Sequence, residues 1–190
     1  MRLGAVLMAS GFGRRFGENK LLYPVDGIPM VERAFSALPP ALFDRAVVVS
    51  AHPAVLALAD GLGYLTVFNP DANEGRAASV RLGLERLMDM DGVLFAVCDQ
   101  PWLRRESVEK LLTDTADHPD SVCALSSEGR RGNPVVFPSI LFPELLALSG
   151  EEGGGKVIKA HRELLRLTQV GDLRELLDVD TRQDLGSPTA

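Results

Sequence analysis

The stretch Leu3-Gly-Ala-Val-Leu-Met-Ala9 is an unbroken apolar run. A strand that is apolar on every residue needs cover on both faces, the condition of a strand inside a parallel sheet sandwiched by helices. Arg45–Ser50, Tyr64–Phe68 and Gly92–Cys98 repeat the signature. Between them lie helical patterns. After the turn signal Asp26-Gly27, Pro29–Leu38 puts Met30, Ala34, Phe35 and Leu38 on one face. Pro53–Gly61 is opened by proline and closed by glycine. Arg76–Met90 aligns Val80, Leu84 and Leu87, and Glu106–Ala116 follows. Further on, short strands are predicted at Ser121–Ser126 and Pro134–Phe137, the second opening on a proline that suits a strand start or edge. Helices are predicted at Ile140–Leu148 and Lys156–Leu165, and a last strand at Leu167–Val170. The alternation predicts one doubly wound α/β domain over residues 1–185, with 186–190 a disordered tail.

Composition narrows the function classes. The 190 residues carry 20 Lys+Arg against 26 Asp+Glu, a net charge of −6. That balance argues against non-specific binding to nucleic acid or anionic membranes. No apolar run approaches the roughly 20 residues a membrane span needs, and the N-terminal run is too short for a signal peptide. The 2 cysteines, Cys98 and Cys123, form no CxxC, and the 3 histidines, His52, His118 and His161, have no HxxxH spacing. A disulfide framework and a structural zinc are both excluded, and a reduced, cytoplasmic protein is expected.

In an open α/β sheet, ligands bind beyond the carboxyl ends of the strands. The first strand is followed by Ser10-Gly-Phe-Gly-Arg-Arg-Phe-Gly-Glu-Asn-Lys20. Its glycines let the backbone approach phosphate oxygens, and Arg14, Arg15 and Lys20 supply positive charge. It is neither a Walker A loop nor the dinucleotide fingerprint, since Phe16 takes the third glycine position. Asp99-Gln100-Pro101 follows the fourth strand and puts a carboxylate at the same edge. Beside phosphates such an acid suits Mg²⁺, although Asp before a turn is also common. Near the C-terminus, Asp178 and Asp180 would face the same side of an extended segment. Asp180 also has the spacing of a helix N-cap with Gln183. Cys98 and His161 read as structural, Trp102 as lining either the ligand site or the crevice edge, and Arg130 and Arg131 as a solvated loop or an anion grip.

These pieces resemble the small MobA-like nucleotidyltransferases, and among them most closely the molybdenum cofactor cytidylyltransferases. Met8-Ala-Ser-Gly-Phe-Gly-Arg-Arg-Phe-Gly-Glu-Asn-Lys20 is similar to the family's opening Leu-Ala-Ala-Gly-x-Ser-x-Arg-x-Gly-x-x-Lys. Asn73–Val80, Asp99-Gln-Pro101, Gly132–Phe137 and Asp178-Val-Asp-Thr181 resemble its later segments, in the same order along nearly the whole chain. The chain departs from the pattern at Ser10, Gly13 and Glu151–Lys156. The last of these is implied to lie near the acceptor.

The resemblance implies a three-layer αβα fold with a Rossmann-like, mostly parallel sheet of the nucleotide-diphospho-sugar transferase type. It implies transfer of CMP from CTP to molybdopterin with release of pyrophosphate. Arg15 and Lys20 would be catalytic, Ala9, Ser10, Gly11, Gly13 and Ser79 would bind the nucleotide, and Asp99 and Asp180 would hold Mg²⁺. A Cβ at position 10 leaves less room for a purine and favours CTP over GTP. Guanylyl transfer, a sugar or polyol phosphate acceptor, and a non-catalytic accessory role toward a molybdenum hydroxylase or its maturation factors are the alternatives. No nucleic acid or membrane partner is expected.

Overall fold

A computed structural model of the chain describes residues 1–11, 16 and 19–185. The call of a disordered tail at 186–190 lies outside them, as do Gly13, Arg14 and Arg15. Strands β1 (Leu3–Met8), β4 (Arg45–Ser50), β5 (Leu65–Phe68) and β6 (Gly92–Val97) pair in parallel, with β1 at their centre. A small antiparallel hairpin, β2 (Pro24–Val25) with β3 (Ile28–Pro29), stands apart. Its turn is the Asp26-Gly27 pair, both at positive φ. The sheet continues through β8 (Arg130–Pro138), β7 (Val122–Ser127) and β9 (Leu165–Gln169), giving the order β5-β4-β1-β6-β8-β7-β9. Only β8 runs against the others in this sheet.

Alternation along β1 builds two cores. Ala5 and Leu7 join the cluster beneath α1 (Met30–Ala37), α2 (Pro53–Gly61) and α4 (Arg105–Asp117). Val6 faces the opposite cluster, beneath α3 (Arg76–Leu84), α5 (Phe142–Leu146) and α6 (Gly154–Ala160). Gly83 lets α3 lie directly on β1, because a Cβ there would collide with Val6. Helices thus cover both faces, as strands that are apolar throughout require.

Several boundaries differ from the sequence expectation. Helix α3 ends at Leu84 rather than Met90, and the chain turns through Leu87 and Met90, both buried against the core. Helix α6 ends at Ala160, and Leu165, expected in that helix, instead opens β9, where its neighbour is Val122. Tertiary pairing overrides the helical pattern there. Pro134 lies inside a central strand and not at an edge. The β8–β7 register shifts around Leu125, and the last β6 partner of β8 is Val135, so the missing proline N–H falls at a break in the ladder.

Candidate active site

The chain runs outward from β1 to β4 and β5, then crosses to the other side of β1 to form β6. The topological switch point therefore lies between β1 and β6. Their parallel register pairs Met8 with Val97, so Ser10 and Asp99 emerge side by side at the carboxyl edge. A cleft of about 650 Å³ opens there, lined at this end by Ser10, Gly11, Lys20, Ser79, Asp99, Asp178 and Asp180.

Lys20 is the centre of the site. It is only 6% exposed, an unusual place for an ammonium. Its Nζ donates to Asp99 Oδ2 at 2.8 Å, to Asp180 Oδ1 at 2.9 Å and to the Val179 carbonyl at 3.0 Å. All three ammonium hydrogens are thereby used. Burial alone would lower the Lys20 pKa, but the charges and hydrogen bonds of Asp99 and Asp180 outweigh it and hold the pKa above its ordinary value.

A C-terminal segment delivers the second acid. After β9 the chain makes a short helical turn at Leu173–Leu176 and returns across the sheet edge. Val179 N donates to the Asp99 carbonyl at 2.8 Å, and the Val179 side chain is fully buried against Phe16, Val25 and Met30. Tyr23 packs on the same cluster, and the Arg182 guanidinium lies 5.7 Å from the Phe16 ring and 5.2 Å from the Tyr23 ring. Trp102 covers this cluster too, and so serves the crevice edge.

The two C-terminal acids have different partners. Asp178 Oδ1 accepts from Gln100 Nε2 at 2.8 Å; burial and the charge of Asp99 push its pKa up. Asp180 reaches Lys20 instead. Asp184, inside the turn that follows, reaches back: its Oδ2 accepts from Asp180 N at 2.9 Å and Thr181 N at 2.6 Å, while the Asp180 carboxylate is turned to Lys20.

Asp99 Oδ1 is buried and has no hydrogen-bond partner among the described residues. An orphaned carboxylate oxygen beside a cleft has lone pairs open to a cation. No group of three or more metal-ligating side chains is found among the described residues. The donor set suits a divalent cation that takes one or two carboxylates and completes its shell with substrate phosphates and water.

At the other side of β1, Ser10, Ser79 and Asn69 form a buried hydrogen-bonded cluster. Ala9 is fixed by a bond from its N–H to the Val49 carbonyl at 2.8 Å and by Ser50 Oγ, which donates to its carbonyl at 2.7 Å. His52 Nε2 lies 3.0 Å from the Gly11 carbonyl. Asn69 and His52 carried no motif and were not anticipated; only their positions just after β5 and β4 point to the edge. Farther along the cleft lie Arg131 and Gly153–Lys156, together with the apolar side chains of Phe95, Val135 and Phe137. Cys98 is fully buried with its thiol pKa pushed up, and His161 contacts Glu144 at 2.7 Å outside the cleft.

Comparison with known proteins agrees with this architecture. The chain is 28% identical to the purine catabolism protein PucB of Bacillus subtilis, over 94% of this chain and 92% of that one. It is 31% identical to nicotine blue oxidoreductase of Paenarthrobacter nicotinovorans, covering 95% and 93% respectively. A molybdenum cofactor guanylyltransferase of Rhodobacter capsulatus is 28% identical over 64% of this chain and 63% of its own. The crystal structure of Rv0371c from Mycobacterium tuberculosis in complex with manganese superposes with a TM-score of 0.77 at 25% identity, covering 97% of this chain and 96% of that one. Residues 5–165 match the profile of the MobA-like NTP transferase domain, and the chain belongs to that family.

Proposed function

We propose that the protein transfers CMP from CTP to a molybdopterin-type acceptor and releases pyrophosphate. The observation that carries this reading is the buried Lys20 ammonium held between Asp99 and Asp180 at the switch-point cleft. A buried cation there can meet charge that develops on a transferring phosphoryl group. Similarity to a molybdenum cofactor guanylyltransferase supports the acceptor class.

A terminal phosphate oxygen of the acceptor forms a bond to the α-phosphorus of CTP. The bond from that phosphorus to the α–β bridging oxygen breaks, and pyrophosphate leaves. The attacking phosphate is already anionic, so positioning and charge stabilisation account for the rate rather than a strong base. Lys20 moves from its carboxylates to the α-phosphate. Arg15 and the backbone of Gly11 and Gly13 hold the β- and γ-phosphates, while Ala9, Ser10 and Ser79 line the nucleoside end. Asp99 and Asp180 would hold Mg²⁺, which supplies charge neutralisation on the phosphates. The Cβ of Ser10 disfavours a purine and argues for CTP over GTP. Reaction in the cytoplasm fits a chain in which no described helix is long and apolar enough to cross a membrane.

The test is incubation with each of the four common ribonucleoside triphosphates, Mg²⁺ and purified molybdenum cofactor, with pyrophosphate release as the readout. Release with CTP alone supports the reading. Release with GTP would reassign the base. Release only when a sugar or polyol phosphate is added would reassign the acceptor. No release with any combination would favour an accessory role.

A further inference from the structure

The hydrogen-bond directions at the nucleoside end are fixed by elimination. Asp71 N donates to Asn69 Oδ1 at 3.0 Å, which orients the amide. Asn69 Nδ2 then faces Ser79 Oγ at 3.0 Å and Ser10 Oγ at 3.3 Å, and as an amide nitrogen it donates to both. Ser10 Oγ lies 3.3 Å from the Val49 carbonyl, which can only accept, so the single Ser10 hydroxyl hydrogen points there. In the Ser79–Ser10 pair, at 3.1 Å, the hydrogen must therefore come from Ser79. The chain runs Asn69 to Ser79 to Ser10 to Val49.

The consequence lies in what is left over. Ser10 Oγ has donated once and accepted twice. Ser79 Oγ has donated its hydrogen and accepted once, and keeps one lone pair. Ser79 lines the cleft, whereas Asn69, at 1% exposure, does not. The described groups thus give this corner an acceptor and no hydroxyl donor.

We propose that Asn69 is a positioning residue that holds the Ser79 hydroxyl oxygen toward the cleft as a hydrogen-bond acceptor, so that the base selected there offers an exocyclic amino group, the 4-amino group of cytosine. This rests on the nucleotidyl-transfer reading above. A base with a carbonyl in that place would set lone pair against lone pair, and such an unpaired polar contact discriminates more strongly than a simple deletion.

The test is calorimetry with Mg²⁺ of CTP, its 4-deamino analogue and UTP, in the wild type, Asn69→Ala and Ser79→Ala. The wild type should bind CTP roughly five- to tenfold more tightly than the deamino analogue, the scale of one net hydrogen bond, and UTP more weakly still. In both variants the CTP advantage should fall to about twofold or less, and in Asn69→Ala affinity for the deamino analogue should stay unchanged. A purely structural role for Asn69 would weaken all three nucleotides alike. Equal wild-type binding of CTP and the deamino analogue overturns the proposal, as does a preference that survives Asn69→Ala. If Asn69→Ala does not fold, Asn69→Leu, close in volume and without the amide, is measured in its place with the same expected loss of the CTP advantage. Failure of every triphosphate to bind would instead remove the nucleotidyl-transfer reading.

Discussion

Replacing Lys20 with methionine keeps the aliphatic stem and removes the ammonium, and it should have opposite effects on metal binding and turnover. The ammonium sits 2.8 Å from Asp99 and 2.9 Å from Asp180, between the two carboxylates that would hold a divalent ion. An entering cation must displace it from both. The bond to Asp99, 22% exposed, is charge-assisted and largely shielded from water, contributing about 2 kcal/mol. The bond to Asp180, 61% exposed, contributes less than about 1 kcal/mol. Without the ammonium, Mn²⁺ should bind more tightly in the absence of nucleotide by about 2–3 kcal/mol, or roughly 30- to 150-fold. Turnover should fall by roughly two to three orders of magnitude, because a charge-stabilising donor is lost. Electron paramagnetic resonance titration of Mn²⁺ against wild type and Lys20→Met, with pyrophosphate release measured in parallel, reads both effects. A folded Lys20→Met protein with unchanged Mn²⁺ affinity would refute the competition argument. Wild-type turnover in that variant would refute the catalytic role of Lys20.

Asp180→Asn should lower activity and be partly rescued by raised Mg²⁺, and Asp99→Asn with Asp180→Asn should be little worse than the worse single variant. Because the Asp180 side chain, 61% exposed, pairs with Lys20 while Asp184 bonds the N–H groups before the turn, Asp180→Ala should cost less than about 1 kcal/mol in urea denaturation; a larger loss would give Asp180 a capping role. Gly75 has φ +105° and its absent Cβ would strike the Gly150 carbonyl, so Gly75→Ala should destabilise by at least about 2 kcal/mol, and an unchanged Tm would contradict that. Tyr64 donates to the Phe35 and Leu38 carbonyls, and burial, with the Cys98 thiol adding, raises its pKa well above the ordinary 10.0. The unfolded chain releases this proton at lower pH than the folded one. The stabilisation is whole below pH 10.0 and is lost above it, by up to about 1.4 kcal/mol per pH unit. Tyr64→Phe should flatten that alkaline slope, and an unaltered slope would count against the assignment.

The strands around β1 were legible because burial on both faces writes itself into consecutive residues. Lys20 and Asp99 were legible because each follows such a strand or its loop, where an α/β sheet opens to ligands. Leu165 was misplaced because its helix-like spacing continued past Ala160, and nothing local reports pairing with Val122, some forty positions away along the chain. Pro134 read as a strand start or edge because its acceptability inside the sheet depends on a register break against a neighbouring strand. The choice between Asp178 and Asp180 could not come from periodicity, which put both on one side. The Gln100 amide and the Lys20 ammonium separate them, and both contacts close only in three dimensions. Asn69 lay in no motif because its function is to direct two hydroxyls that did.

The proposed reaction is a covalent transfer, so the most direct measurement follows the transferred atom. CTP labelled at its α-phosphorus is incubated with the protein, Mg²⁺ and purified molybdenum cofactor, and the cofactor is recovered and analysed by mass and by label. The label should appear in a cytidine dinucleotide form of the cofactor, in equal amount to the pyrophosphate released, and Lys20→Met should slow both together by the same roughly two to three orders of magnitude. Cofactor recovered unlabelled, with CTP intact, would contradict it.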